Sequence, residues 1–247
     1  MIIARPNNQC ADSCRIQINF QTTGDFNMSS GISIHPCAPR HDAAVEALSG
    51  LPASVISDVM GRSVGTTGLN LINRSSITVC GVAVTVQVRA GDNLLIHKAL
   101  DMLRPGDVLV IDGGGDVSRA LVGEIMMTSA MVHGAIGFVV DGAVRDSEAF
   151  EAHKFPCWAR GVNLRGPYKE GPGSINCPVS VGGMLVNPGD IIVGDADGVV
   201  TVSPHHALAV GKKSHAKVLD EQKMMANIKS GSYSSAWVDA LIQQKGD

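Results

Sequence analysis

Long basic runs are missing from this chain. No stretch of Lys or Arg exceeds two residues and the formal net charge is −3, so a nucleic-acid footprint is unsupported. Apolar runs are short as well, and none reaches the roughly 18 residues that a membrane span needs. The opening MIIARPNNQC lacks the continuous apolar stretch of a secretion signal. Cysteines are few and scattered: Cys10, Cys14, Cys37, Cys80, Cys157 and Cys177. Cys10 and Cys14 have neither a second pair nor a histidine cluster to complete a zinc site. A reduced, cytoplasmic protein with free thiols is the expectation. Aromatics make up only 4% of the chain, whereas glycines number 28 and sit mostly beside Val, Ile and Asp. That combination points to tight turns between Val/Ile-rich strands, as in α/β proteins. With hydrophobic residues at 45% of 247 positions, a full core needs neither disulfides nor metals.

Composition shifts divide the chain into three. Residues 1–40 are polar and aperiodic, and read as a poorly ordered N-terminal arm. Residues 41–204 carry the alternating and helical patterns of an α/β core, and 205–247 read as a C-terminal helical extension, to which the resemblance given below adds subunit contacts. Within the core, HDAAVEALSGLPASVISDVMG suggests two short helices. ITVCGVAVTVQV is β-branched and alternating, a strand or a bent pair around Gly81. AGDNLLIHKALDML places Leu95, Ala99 and Leu103 at helical spacing. Two segments echo each other, RPGDVLVIDGGGD (104–116) and NPGDIIVGDADGV (187–199). In each, Pro-Gly occupies the centre of a type II turn and an Ile/Val strand follows.

Candidate chemistry begins with the glycine cluster 113–115, which lets backbone amides approach a ligand. It lacks the G-x-G-x-x-G spacing, so a nucleotide or S-adenosylmethionine fingerprint is weak. Gly123 is more telling, because mid-helix it would cost roughly 1 kcal/mol relative to Ala. Either it precedes a helix starting at Glu124, whose first amides are then free to hold a carboxylate, or a helix runs unbroken from Asp116. The spacing leaves both open. Arg145 and Asp146 follow the apolar strand 136–141, and in α/β sheets ligands collect beyond the carboxyl ends of strands. Asp146 reads either as a helix N-cap or as an oxygen ligand for a hard cation, with Asp141 also in contention. Arg145 would stabilise negative charge on a substrate oxygen. His97 and His133 fall inside helical patterns and read as structural.

Gly123-Glu124 followed, after twenty intervening residues, by Arg145-Asp146 resembles the signature of the metal-dependent 4-hydroxy-4-methyl-2-oxoglutarate/4-carboxy-4-hydroxy-2-oxoadipate aldolases. That superfamily also holds oxaloacetate decarboxylases and the regulator of ribonuclease activity A. SDVMG, GVAVTV, GDNLLIHKAL, PGDVLVID, GFVVDGAVRD and PGDIIVGDADGVV are similar to its blocks, over roughly residues 42–245. The resemblance implies a layered β/β/α core of the swivelling-domain type, assembled as a homotrimer or homohexamer. It implies cleavage of a 4-hydroxy-2-oxo acid to pyruvate plus a 2-oxo acid, with oxaloacetate decarboxylation as a side activity. It further implies Mg²⁺ or Mn²⁺ held by Asp146, with Glu124 on its waters, and Arg145 on the enolate. Amides around Gly123, Ile125 and Met126 would bind the pyruvyl carboxylate, and Glu221 of a neighbouring subunit, with Asp220 as rival, would complete the site. Ala149, flanked by Glu148 and Glu151, stands where relatives often carry an acid, which touches substrate preference. A non-catalytic binding protein like the ribonuclease regulators is the alternative, although those look shorter and lack the long C-terminal helices. A quinone methyltransferase would rest on the glycine cluster alone.

Overall fold

A computed structural model describes residues 31–74 and 77–246. In chain order they form β1 (Ile32–Ile34), α1 (Asp42–Leu48), α2 (Ala53–Val59), β2 (Asn70–Leu71), β3 (Val79–Val88), α3 (Leu94–Leu100) and β4 (Asp107–Asp112). There follow β5 (Ala120–Val122), α4 (Glu124–Val132), β6 (Gly137–Val144), α5 (Ser147–Ala152), β7 (Cys157–Val162) and β8 (Gly173–Ile175). The chain ends with β9 (Val179–Val181), β10 (Met184–Val186), β11 (Ile191–Asp195), β12 (Gly198–Val202), α6 (Pro204–Lys229) and α7 (Ala236–Gly246).

The centre is a parallel run β3-β4-β6-β7, with α3, α4 and α5 as crossovers. Its strands are buried on both faces, hence their near-continuous Val/Ile content. Leu109, Ile111, Phe138 and Val140 point to the side where Leu95, Ile96, Met127 and Phe150 from the helices pack. There Phe138 and Phe155 meet edge to face, their centroids 4.9 Å apart, a contact that adds about 1 kcal/mol beyond burial. Val108, Val110, Val139 and Trp158 face the other way, onto the β9-β10 hairpin. The layers are therefore β/β/α, as the resemblance implied. A third cluster seats α1, α2 and the first half of α6 on β11 and β12.

β3 branches the sheet. Its first residues pair antiparallel with β11, its last with β8, and β4 runs parallel along most of its length. Gly81 sits at this junction because a Cβ would come within 2.5 Å of the Gly106 carbonyl. The two Pro-Gly turns are alike in detail. Gly106 and Gly189 have φ of 84° and 87°, and Asp107 and Asp190 donate their amides to Arg104 and Asn187. Each aspartate's carboxylate also accepts the amide three residues back, at 2.8 and 2.9 Å.

Three differences from the sequence reading stand out. Residues 32–40, assigned to the arm, are built into the fold: β1 pairs in parallel with β8, and Arg40 reaches the Pro105 carbonyl and the buried Asp107. The rest of that arm, residues 1–30, lies outside the described residues. The sequence also suggests a helix from Arg145, and α5 begins instead at Ser147. Finally, α6 is only half an extension, since Ala207, Gly211 and Ser214 are buried against the core while later residues are open. Among the described residues no helix is long and apolar enough to cross a membrane.

Candidate active site

β5 lies beside β6, in parallel, and the two strands release the chain at the same end. From β5 the chain passes through Gly123 into α4; from β6 it passes through Arg145 and Asp146 into α5. Of the two readings of Gly123, the structure takes the first. Gly123 is the N-cap residue of α4, with extended backbone at φ −156° and ψ −164°. Its lack of a side chain is a matter of space, since a Cβ would stand 2.5 Å from Asp146 Oδ2 and 2.9 Å from Arg145 Cγ.

Asp146 occupies the N-cap position of α5 but makes no side-chain cap there. Its left-handed backbone, φ 55° and ψ 44°, turns the carboxylate to the neighbouring helix, where Oδ2 accepts the Glu124 amide at 3.0 Å. Aspartate tolerates this conformation better than most residues, though at a cost of order 1 kcal/mol. Arg145 Nε stands 3.6 Å from the same oxygen, both side chains being about two-fifths exposed. An exposed pair of this kind contributes little to stability. The amides of Ile125 and Met126 lie in the first turn of α4 and have no carbonyl within the helix to pair with.

Gly123, Ile125, Met126 and Arg145 line a cleft of about 130 Å³ together with Asn93, His97 and Lys169. Asn93 is 3% exposed, and its Nδ2 donates to the Leu121 carbonyl at 3.0 Å and to Met126 Sδ at 3.3 Å. Those bonds fix the amide orientation and leave Oδ1 as a buried acceptor without a donor. Partial withdrawal from water holds His97 below the usual histidine value, and the Lys169 ammonium adds to that. His97 is thus an exposed cleft residue rather than the structural one its helical pattern suggested. His133 does bond within its own helix, to the Ser129 carbonyl.

Glu221 lies elsewhere. It is on α6, 2.9 Å from Lys217, which also reaches Asp58 at 3.1 Å; Asp220 pairs with Lys223. Asp141 is not a site residue, because its carboxylate accepts the Gly182 amide and pairs with Arg160. The glycine cluster is also spent. Gly113 and Gly115 donate to the Asp141 carbonyl and Gly114 to Asp112, so its amides are not free for a phosphate. Glu148 is exposed, Ala149 packs at the edge of the core, and Glu151 accepts the Arg74 amide.

The donor set can be tested against a divalent cation. Asp146 Oδ1 carries no hydrogen bond and the exposed Glu124 carboxylate no ion pair among the described residues. No group of three His, Cys, Asp or Glu converges there. One or two carboxylates with the remainder left to water and substrate suit Mg²⁺ or Mn²⁺, which keep several waters. The residues therefore fit a hard cation.

Sequence reasoning passed over Asn93 and Lys169 and read His97 as structural. Asn93 and His97 are four apart on one helical face, a usable signal; Lys169 lies in aperiodic NLRGPYKE, which offers none.

Comparison with known proteins adds the following. Residues 53–201 match the model of the family described as RraA-like: Aldolase/RraA. A protein of Halalkalibacterium halodurans named "Putative 4-hydroxy-4-methyl-2-oxoglutarate aldolase" is 42% identical over 173 residues, covering 70% of this chain and 82% of its own. Two solved structures are each 29% identical and cover 62% of this chain. One is the RNA-processing inhibitor RraA of Thermus thermophilus, covered over 92% with a TM-score of 0.56. The other, from Geobacillus kaustophilus, is called an S-adenosylmethionine:2-dimethylmenaquinone methyltransferase, covered over 95% with a TM-score of 0.57.

Proposed function

This chain belongs to the RraA-like, Aldolase/RraA family, and from that membership and the cleft at Gly123 we propose that it is a divalent-metal-dependent pyruvate aldolase. Its substrate would be a 4-hydroxy-2-oxo acid such as 4-hydroxy-4-methyl-2-oxoglutarate or 4-carboxy-4-hydroxy-2-oxoadipate. The observation that carries the proposal is the meeting of Arg145, Asp146 and the start of α4 around a residue that has to be glycine.

The Ile125 and Met126 amides, with Gly123 beside them, receive the substrate's 1-carboxylate, the helix start favouring its charge. Arg145 faces the 2-oxo oxygen. Asp146 and Glu124 would hold Mg²⁺ or Mn²⁺, which supplies Lewis-acid polarisation of that oxygen when bound. Glu124, or Glu221 from a neighbouring subunit, takes the C4-hydroxyl proton through a water. The C3–C4 bond then breaks, its electron pair forms the C2–C3 double bond, and C4 becomes the carbonyl of the departing 2-oxo acid. Arg145 stabilises the enolate oxygen until C3 is protonated to give pyruvate. Oxaloacetate loses carbon dioxide through the same enolate, so its decarboxylation is the expected side activity.

Exposed apolar side chains on α6 and α7, among them Leu219, Met225, Trp237 and Ile242, support a homotrimer or homohexamer in which such a neighbour exists. The test is a screen of 2-oxo acids with Mg²⁺ and Mn²⁺, with and without chelator, coupled to lactate dehydrogenase. Metal-dependent pyruvate release is the expected result. No release from any acid would favour the second reading, a non-catalytic binding protein like the inhibitor RraA, to which this chain is also similar.

A further inference from the structure

We propose that Arg119 is a positioning residue for the cleft: with Tyr168 it latches segment 163–170 across the starts of β5 and α3, and the fixed position of that strap sets how tightly the cleft holds its ligand. The effect on substrate affinity rests on the oxo-acid reading of the cleft, whereas the latch itself does not. Arg119 is not among the residues that line the cleft, so it acts through its neighbours.

The strap follows β7, and its large apolar side chains, Leu164 and Tyr168, are exposed. Hydrophobic burial therefore does little to hold it, and its order depends on polar contacts. Arg119 supplies the centre of these. Its Nη1 donates to the Gly166 carbonyl and its Nη2 to the Tyr168 hydroxyl, both at 2.8 Å, while its guanidinium carbon stands 4.1 Å from the centre of the Tyr168 ring. No carboxylate pairs with this guanidinium among the described residues, so its charge is committed to the strap. The stem of Arg119 lies over Gly91, where a Cβ would come within 3.1 Å of Arg119 Cδ.

Three segments meet at this side chain. The Ala120 amide donates to the Arg165 carbonyl at 2.8 Å, the Tyr168 amide to the Gly91 carbonyl at 2.8 Å, and the Asn93 amide to the Tyr168 carbonyl at 3.0 Å. Asn163 Nδ2 reaches the Val117 carbonyl, and the Glu170 and Gly171 amides close on Asp92 Oδ2. Each segment also delivers residues to the cleft: Ala120 and Leu121 from β5, Asn93 and His97 from α3 and its cap, Pro167 and Lys169 from the strap. A strap that opens carries Pro167 and Lys169 away and takes the acceptor of the Asn93 amide with it, while the Arg145–Asp146 corner keeps its own bond to Glu124. The latch therefore acts on ligand binding rather than on the bond-breaking step.

The test is limited trypsin digestion, read by mass spectrometry at the Arg165–Gly166 and Lys169–Glu170 bonds, alongside steady-state kinetics. Cleavage tracks the open population of the strap when reclosing is fast. Arg119→Met keeps a stem over Gly91 but loses both bonds, and should raise cleavage at the two sites about tenfold. Arg119→Lys, an ammonium without the planar fork, and Tyr168→Phe, which keeps the ring but not the hydroxyl, should fall between that variant and wild type. Arg62→Met, which removes an exposed pair with Asp58, should be cleaved there as wild type is. In pyruvate release, Arg119→Met should raise KM about tenfold with kcat within about twofold of wild type, and Arg119→Lys should recover part of the loss. Wild-type cleavage rates in Arg119→Met, or in the other two strap variants should that one fail to fold, would overturn the latch. Faster cleavage with unchanged KM, or a loss carried by kcat, would overturn the positioning role. A wild-type protein that releases no pyruvate from any acid would overturn the aldolase reading instead, and the latch would then stand or fall on cleavage alone.

Discussion

Replacing Gly123 by alanine isolates the geometry on which the proposed chemistry rests. The backbone there is extended, so alanine brings no conformational strain of its own. Its methyl would lie 2.5 Å from Asp146 Oδ2, 2.9 Å from Arg145 Cγ and 3.2 Å from Arg145 Nε. Restoring ordinary contact requires the carboxylate and the guanidinium stem to retreat by about 1 Å. The retreat breaks the 3.0 Å bond from the Glu124 amide, a cap interaction of about 1 kcal/mol. Loss of glycine's freedom in the unfolded chain returns about 0.4–1 kcal/mol. The two nearly cancel, so the melting temperature should move by less than about 4 °C. Turnover should not escape: a displacement of about 1 Å at reacting groups costs on the order of 100-fold. Circular dichroism melts read the first quantity and pyruvate release the second. A Gly123→Ala protein with wild-type kcat/KM would refute the assignment of the Arg145–Asp146 corner as the reacting site, and one that fails to fold would refute the claim that this glycine serves the site alone.

Other expected outcomes follow from the same contacts. Arg145→Ala should lower kcat by about 10²–10³-fold while Mn²⁺ binding by calorimetry stays near wild type, because its proposed role is on the substrate oxygen. Asp146→Ala should abolish metal-dependent turnover and cost about 1 kcal/mol, whereas Asp146→Asn, which can still cap α4, should recover the stability without the activity in parallel denaturation and turnover assays. Burial alone would raise the Asp92 carboxyl, but the Glu170, Leu94 and Gly171 amides and Arg89 hold it below the usual carboxylate value. Its folded value is depressed, so its contribution is present above the unfolded value near 4 and lost as pH falls below it. Asp92→Asn should therefore cost about 1–3 kcal/mol in urea melts at pH 7 and flatten the acid limb of stability below about pH 4.

Elements governed by local physics were legible in the sequence. The unbroken apolar run VLVI of β4 and the paired Pro-Gly turns rest on burial of both strand faces and on glycine at positive φ, and both leave their mark within a few residues. β1 was not, because three residues of ISI become a strand only by pairing with Gly173–Ile175 some 140 residues later. β5 was hidden for a related reason. Ala120, Leu121 and Val122 fit a helical face as well as a strand, and the break at Gly123 is imposed by the side chains of Arg145 and Asp146 from the next strand's end. His97 has the spacing of a core helix residue, and only the crossing of segment 163–170 turns its surface into a cleft wall.

Asp146 shows why the proposed reacting corner resists local rules most of all. An aspartate just before a helix is ordinarily its cap, and the energetically simplest arrangement would have it accept amides of α5. In the structure it forgoes that bond, adopts a left-handed backbone, and caps α4 across the sheet instead. The exchange is close to neutral in hydrogen bonds, one cap for another, so the conformational cost of order 1 kcal/mol is unreturned by local stability. What it does change is direction. With Oδ2 tied to the Glu124 amide, Oδ1 is left without a hydrogen bond and Arg145 is held against the same carboxylate. A strained backbone that frees one oxygen beside a guanidinium and an open helix start is the kind of outlier from which function is inferred, and it links the two strand ends into a single rigid corner.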